Sequence, residues 1–155
     1  MNNTANYGLK FFYFDADHAE RLHDWIIEKS GGMPGTKDRN QLESPLVHIQ
    51  NDDYYPEMAD KLAYLIYAIN KNHAFQDGNK RASIALGAYF LELNGYDYLV
   101  HRFTLEMENI AVNVAANMID RPLLRRVIES LIYEQDYSEA LKLDLIAALS
   151  AYEPN

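Results

Sequence analysis

Apolar residues recur three or four positions apart along most of this 155-residue chain, which is the spacing of amphipathic helices. One such run begins at Pro56 and continues to about residue 71. Its apolar stripe consists of Met58, Leu62, Leu65, Ile66 and Ile69. The same pattern predicts further helices at about 16–30, 40–50, 104–119, 122–135 and 138–150, and one that follows residues 73–81 and ends at Leu93. The chain is therefore predicted to be all-α.

Turn residues mark the ends of several of these helices. Gly31-Gly32 follows the first helix, and Asn94-Gly95 follows the helix that ends at Leu93. Residues 31–40 are rich in glycine and charge, which predicts a loop or flap rather than core. Before the first helix, the aromatic run Phe11–Phe14 is compatible with an extended segment or an edge strand.

Composition narrows the class of protein. With 155 residues, of which 48% are hydrophobic, the chain is long enough for one domain with its own core, spanning residues 1–155. It contains no cysteine, which excludes disulfides and thiol catalysis. No signal peptide and no membrane span of roughly 18 apolar residues are recognisable, so we expect a cytoplasmic protein. The formal net charge of −9 disfavours direct binding to nucleic acid.

Residues 73–81, which read His-Ala-Phe-Gln-Asp-Gly-Asn-Lys-Arg, concentrate the reactive side chains of the chain. They lie between two segments of helical periodicity, so they are predicted to form a loop that enters a helix N-terminus. Backbone N–H groups and the helix dipole favour anions there, phosphate above all. His73 is the candidate general base, because imidazole accepts protons at cellular pH. The other histidines have no comparable neighbours in the sequence and are not expected at the site; they are His18, His23, His48 and His101.

The remaining residues of the motif indicate a phosphate site. Asp77 is its one carboxylate, so it is the candidate ligand of a Mg²⁺ ion that also binds phosphates; it can alternatively be a helix N-cap. Gly78 lets the backbone approach a phosphate closely, and Asn79 can donate a hydrogen bond without adding charge. Lys80 and Arg81 are two cations at a helix N-terminus, where the dipole disfavours them unless an anion binds.

The motif resembles the signature of the Fic/Doc family, His-x-Phe-x-Asp/Glu-Gly-Asn-Gly-Arg-x-x-Arg. The matching residues are His73, Phe75, Asp77, Gly78, Asn79 and Arg81. Lys80 stands where nucleotidyl-transferring members carry the second glycine, and Ile84 stands where they carry the final arginine. Both differences resemble the Doc, or death-on-curing, toxin branch. Gly31–Gly35 also resembles the turn that opens the flap of Doc-like chains, and the likeness extends over about residues 15–120.

The resemblance implies the Fic/Doc helical fold, with a short flap at about residues 31–45 that can form a β-hairpin before the core helices. In the Doc branch, the lysine accompanies a reversed nucleotide pose and transfer of the γ-phosphoryl group of ATP. The implied function is an ATP- and Mg²⁺-dependent toxin-type kinase acting on a Ser or Thr hydroxyl of a target protein; elongation factor Tu is the family's known Doc target. His73 and Asp77 would be catalytic, and residues 78–81 would bind the nucleotide phosphates.

Three other functions stay open from the sequence. Transfer of AMP is the commoner chemistry of the wider family, and Lys80 and Ile84 disfavour it. Transfer from another phosphate-bearing donor is a second alternative. A Fic-fold module that binds a nucleotide or a partner without catalysis is the third, and the intact His73, Asp77 and Arg81 argue against it.

The resemblance also implies protein partners. In the family, the flap pairs with an extended stretch of the target through backbone hydrogen bonds, so Gly35, Lys37 and Arg39 are predicted target contacts. Some Fic proteins are inhibited by a helix of their own, and the segment from Ser130 to Glu134 is similar to the pattern of that helix. A separate antitoxin, which silences Doc-like chains, is the preferred regulator.

Overall fold

The computed structural model describes residues 10–150, and within this range the backbone forms seven α-helices and one 3₁₀ turn. The helices are α1 (Ala16–Ser30), α2 (Asn40–His48), α3 (Met58–Asn72), α4 (Asn79–Leu93), α5 (Val100–Ala115), α6 (Arg121–Tyr133) and α7 (Glu139–Ser150). The 3₁₀ turn, Asp97–Leu99, precedes α5. The prediction of an all-α protein is confirmed. None of these helices is both long enough and apolar enough to cross a bilayer.

Helix α3 lies at the centre of the fold. It packs against α2, α4, α5 and α6. Ten of its 15 residues are buried, including all five of the predicted apolar stripe, so neighbours cover most of its circumference. This packing fixes the position of its C-terminal end, where the motif begins.

Helix α5 lies earlier in the chain than its predicted position. It runs from Val100 to Ala115, whereas the periodicity indicated 104–119. The 3₁₀ turn at Asp97–Leu99 leads directly into it, so the polar residues that follow are already helical. At the other end, Asn117 adopts a left-handed conformation with φ 63° that does not continue the helix, although the apolar pattern continues beyond it.

The aromatic run before α1 does not form an edge strand. Residues 10–15 are irregular, and the side chain of Asn94 hydrogen-bonds both backbone groups of Phe12, at 2.8 and 3.0 Å. Phe14 is buried against the rings of Tyr89 and Phe90. The aromatic side chains thus hold this segment on α4 by packing, and one asparagine supplies the hydrogen bonds that a strand partner would give.

Helix α4 approaches α3 and α5 closely because its inner face carries small residues. A Cβ atom at Gly87 would lie 3.0 Å from the ring of Phe103 in α5 and 3.1 Å from the side chain of Ile66 in α3. Ala82, nearer the start of α4, is fully buried. This close contact holds the N-terminus of α4 beside the end of α3.

The tight packing at Gly87 predicts that a larger side chain there destabilises the protein. Gly87→Val should lower the free energy of unfolding by about 1–3 kcal/mol, because the added carbons have no room between Ile66 and Phe103. The matched control is Ala88→Val, which adds a β-branched residue at the next, half-buried position and should cost only a few tenths of a kcal/mol. Urea denaturation measures both. Equal stabilities of the two variants would contradict the proposed packing.

Candidate active site

The motif forms a loop whose two ends both have left-handed backbone conformations. His73 follows α3 with φ 51° and ψ 48°, and Gly78 precedes α4 with φ 72° and ψ 28°. The predicted loop that enters a helix N-terminus is confirmed. Glycine adopts this conformation freely, whereas it costs a residue with a Cβ about 1–2 kcal/mol. His73 is therefore held in a strained conformation by the structure around it, as is common for residues of active sites.

Phe75 and Asn79 fix the middle of the loop. Phe75 is buried in the core. The Asn79 side chain bonds both backbone groups of Phe75: its Oδ1 accepts from the N–H and its Nδ2 donates to the carbonyl, each at 3.0 Å. The Asn79 amide is thus fixed inside the loop, and the second N–H of its Nδ2, like the backbone N–H of this residue, can donate to a bound phosphate.

The predicted site residues share one cleft of about 460 Å³ between the end of α3 and the start of α4. They are His73, Asp77, Gly78, Asn79, Lys80 and Arg81. Lys71, which was not among the predicted site residues, lines the cleft as well. A larger cavity of about 660 Å³ lies away from the motif, beside α1 and α2. We take the smaller cleft as the candidate site, because a base, a carboxylate and several cations converge there.

Asp77 is a carboxylate whose two oxygens both accept backbone hydrogen bonds. Oδ2 accepts from the N–H of Met33 in the flap at 3.0 Å, and Oδ1 accepts from the N–H of Gly78 at 2.8 Å. These two bonds, together with the positive charge of Arg81, lower the pKa of Asp77 below 3.8, so the group is ionised at neutral pH. Gly78 occupies the N-cap position of α4, and the alternative interpretation of Asp77 as that N-cap is wrong.

The donor set at Asp77 fits a magnesium ion that is shared with phosphates. Mg²⁺ takes one or two carboxylate oxygens and completes its octahedral shell with phosphate oxygens and water. The Asp77 side chain is exposed and ionised, and each of its oxygens has a further lone pair beyond the backbone bond that it accepts. Asp77 is therefore the residue that would hold the ion.

Lys80 and Arg81 occupy the first turn of α4, and neither forms an ion pair with an Asp or Glu side chain in residues 10–150. Arg81 donates from Nη1 to Ser30 Oγ at 2.5 Å and to the carbonyl of Gly31 at 2.8 Å. Its guanidinium has five N–H groups, so others remain for a ligand. Because the helix dipole disfavours two cations at this end, a bound anion would stabilise the arrangement.

The flap pairs with the motif loop instead of forming a β-hairpin of its own. It comprises residues 31–39 rather than 31–45, because α2 begins at Asn40. One antiparallel bridge joins Thr36 to Phe75. The hydrogen bonds beside this bridge, 2.8–3.0 Å long, run from Gln76 N to Gly35 O and from Lys37 N and Asp38 N to Ala74 O. Backbone groups that a hairpin would use are thus bonded to the motif.

The start of the flap lies directly over two of the site residues. A Cβ atom at Gly32 would lie 2.7 Å from Asp77 Oδ2 and 2.9 Å from an Arg81 guanidinium nitrogen. Gly32 also has φ +121°, which side chains with a Cβ rarely adopt. Only glycine fits this position without moving Asp77 or Arg81.

The three flap residues that were predicted to contact a target differ in their surroundings. Gly35 and Lys37 are exposed. The guanidinium of Arg39 contacts three carboxylates, those of Asp17, Glu20 and Glu43. It thereby joins α1, the flap and α2, and a target would have to compete with these carboxylates for Arg39. The contact with a target stays a prediction for all three residues.

His23 is a residue of this site that the sequence reasoning wrongly dismissed. It lies on α1, is 1% exposed, and its Nε2 is 2.7 Å from the carbonyl oxygen of Asp77. Its ring stacks on Phe75 with 3.9 Å between centroids and an angle of 4°. The sequence did contain a signal that His23 is buried: it lies four residues from both Ala19 and Ile27, and the three share the buried face of α1.

The structure places the Ser130–Glu134 segment far from the motif. Helix α6 runs antiparallel to α3: Arg121 lies over the ring of Tyr64, and Arg125 Nε donates to Asp60 at 2.6 Å. Residues after Arg125 therefore lie near the N-terminal end of α3, whereas the motif follows its C-terminal end. This arrangement argues against the self-inhibitory alternative, which the sequence left open, because the segment does not lie beside the motif.

The lowered pKa of Asp77 predicts a contribution to stability that depends on pH. A carboxyl group whose pKa is depressed by folding stabilises the protein above its unfolded pKa, and the effect is lost as the pH falls through the folded value, which lies below 3.8. The difference in unfolding free energy between wild type and Asp77→Asn should therefore shrink between about pH 5 and about pH 2. Urea denaturation across this range measures it. Asp53→Asn, at an exposed turn, is the control, and a difference independent of pH would contradict the assignment.

Comparison with known proteins agrees with this geometry. A model of the Fic/Doc family matches residues 13–91, about half of the chain, including α1, the flap and the motif. Protein kinase doc of Escherichia phage P1 is 35% identical over 78 residues, which cover 48% of this chain and 61% of the phage protein. Toxin Doc of Mycolicibacterium smegmatis is 36% identical over 69 residues, which cover 42% of this chain and 53% of the toxin.

The similar region spans less than two thirds of either relative. The family match, residues 13–91, contains each residue of the cleft from Lys71 to Arg81, because it extends past α3 and through most of α4. The family signature, the helical fold and the cleft at the motif agree with one another. The chain belongs to the Fic/Doc family.

Proposed function

We propose that this protein is a Doc-like, toxin-type kinase that transfers the γ-phosphoryl group of ATP to a Ser or Thr hydroxyl of a target protein. The observation that carries the proposal is the convergence of His73, Asp77 and the two cations Lys80 and Arg81 on one cleft at a helix N-terminus. The phage relative, which is named a protein kinase, supports phosphoryl transfer. No part of the reaction needs a cysteine, and the chain contains none.

The proposed reaction is a direct displacement. His73 accepts the proton of the target hydroxyl while the hydroxyl oxygen forms a bond to the γ-phosphorus. The bond from the γ-phosphorus to the bridging oxygen breaks, ADP leaves, and the proton stays on His73 until solvent removes it. His73 is exposed beside the cleft, so a hydroxyl on another protein can reach it.

Charge on the phosphates is stabilised by the first turn of α4. The cleft has a positive electrostatic potential, which comes from Lys80, Arg81 and the backbone N–H groups of the helix N-terminus. Asp77 would hold Mg²⁺ against the phosphate oxygens, and a bound Mg²⁺ neutralises charge on the transferring group. The Asp77 carboxylate is already oriented and ionised for this role, because it accepts hydrogen bonds from the N–H groups of Met33 and Gly78.

Lys80 distinguishes the proposed chemistry from AMP transfer, which is the alternative. By family resemblance, the glycine that nucleotidyl-transferring members carry here leaves room for part of the polyphosphate. Lys80 lines the cleft, and its charged side chain would occupy that room. This favours a pose in which the terminal phosphoryl group, rather than the α-phosphate, lies next to His73.

The proposed partners follow from the same resemblance. Elongation factor Tu is the candidate target, the exposed Gly35 and Lys37 of the flap are candidate contacts, and the reaction takes place in the cytoplasm. A separate antitoxin would regulate the protein, in line with the toxin name of the mycobacterial relative. A non-catalytic binding module remains the alternative if no transfer occurs.

The donor group is tested with labelled ATP. Purified protein and Mg²⁺ are incubated with a bacterial lysate, with the label on either the γ- or the α-phosphate. We expect a labelled protein band only from γ-labelled ATP, because Lys80 places the terminal phosphate at His73. Label from the α-phosphate alone would establish AMP transfer instead. Label from neither would support a different donor or the non-catalytic module.

Replacing His73 tests the general base. Asparagine tolerates the left-handed conformation of this position but cannot accept the proton, so His73→Asn should retain the fold and lower transfer about 100-fold or more. Circular dichroism and the rate of γ-phosphoryl transfer measure the two effects. His101→Asn, an exposed histidine on α5, is the control and should transfer at the wild-type rate. Undiminished activity of His73→Asn would exclude the base assignment.

A further inference from the structure

We propose that His23 is a positioning residue of the active site, which holds the backbone of the motif loop through the carbonyl group of Asp77. Its Nε2 lies 2.7 Å from that oxygen, and its ring stacks on Phe75 from the side of α1. The contact joins two segments that are far apart in the sequence. The inference rests on the proposed function for its activity measurement, and its second measurement is independent of that function.

The hydrogen bond defines the tautomer of His23. A carbonyl oxygen only accepts, so the proton is on Nε2 and His23 donates. Nδ1 is buried and has no hydrogen-bond partner in residues 10–150; Oδ1 of Asp24 is 3.8 Å away, too far for a hydrogen bond. A buried nitrogen without a partner lowers stability. If this position served packing alone, an apolar ring would avoid that loss, so the distinctive contribution of histidine here is the Nε2–H donor.

The carbonyl of Asp77 belongs to the peptide unit that orients the site. The oxygen of this unit accepts from His23, and its N–H, on Gly78, donates to Oδ1 of Asp77 at 2.8 Å. Gly78 then accepts the first hydrogen bond of α4, from the N–H of Ala82, at 2.8 Å. Rotation of this one unit would move the Asp77 carboxylate and the first turn of α4 together. His23 therefore acts through Asp77 and does not itself contact the proposed substrate.

Two variants distinguish the role of the Nε2–H donor of His23 from the role of its ring in packing. His23→Gln and His23→Asn carry the same amide, and both lose the stacking on Phe75, but only the glutamine side chain reaches the place of Nε2. We expect the glutamine variant to keep most of the transfer activity and the asparagine variant to lose about tenfold or more in kcat/KM for Mg·ATP. His18→Asn is the control: His18 lies on the same helix and stacks on Tyr89 at 4.5 Å, away from the motif loop.

Amide hydrogen exchange without nucleotide gives the second measurement. Residues 76–82 should exchange faster in His23→Asn than in His23→Gln, His18→Asn or wild type. The wild-type protein could transfer nothing from ATP while residues 76–82 still exchange faster in His23→Asn than in His23→Gln. In that case the positioning role holds and the proposed function fails. The positioning role is overturned if both His23 variants change alike in activity and exchange, as packing alone predicts, or if His23→Asn matches wild type in exchange.

Discussion

The backbone of the loop between α3 and α4 has to be held rigidly, because a displacement of about 1 Å at a reacting group can cost two orders of magnitude in rate. Side chains from outside the loop satisfy this requirement. Asn79 bonds both backbone groups of Phe75, and His23 donates to the carbonyl of Asp77. Phe75, within the loop, is buried, and its ring stacks on that of His23. These contacts supply the stabilisation that keeps His73 in its left-handed conformation.

The same loop is bonded to the flap, so the surface proposed for a target and the cleft proposed for a nucleotide are not independent. Met33 N–H donates to the Asp77 carboxylate, and Arg81 donates to the carbonyl of Gly31. A ligand that draws Asp77 or Arg81 toward the cleft would change the bonds that hold the start of the flap. Conversely, a target that pulls on the flap would act on Asp77 and Arg81, two residues of the proposed phosphate site.

The sequence predicted the elements of the site better than the contacts between them. Helical periodicity located α3 and α4, and the residue types of the motif indicated which side chains would share a cleft, because these properties are local. His23 was dismissed because its neighbours in the sequence are unremarkable, and its partner Asp77 becomes adjacent only after folding. Arg39 was predicted to contact a target, and its contacts with Asp17 and Glu20 were missed for the same reason, since these carboxylates reach it from another helix.

The β-hairpin that the resemblance allowed in the flap is absent from residues 31–39 for a different physical reason. Glycine and charged residues predict irregular backbone, but they do not show which neighbour will take its hydrogen bonds. Here the motif loop takes them, through Ala74 and Gln76, and no hairpin forms between residues 31 and 39.

A net charge of −9 is compatible with a nucleotide site because the relevant field is local. At physiological ionic strength, exposed charges farther away than about 8 Å are largely screened. The residues lining the cleft include three cations, Lys71, Lys80 and Arg81, and one carboxylate, Asp77. The N-terminus of α4 adds a further positive field at the same place. An extended polyanion such as nucleic acid would meet the acidic surface along its length, whereas a compact polyphosphate can bind within the cleft alone. The charge distribution therefore favours a nucleotide donor over a nucleic-acid ligand.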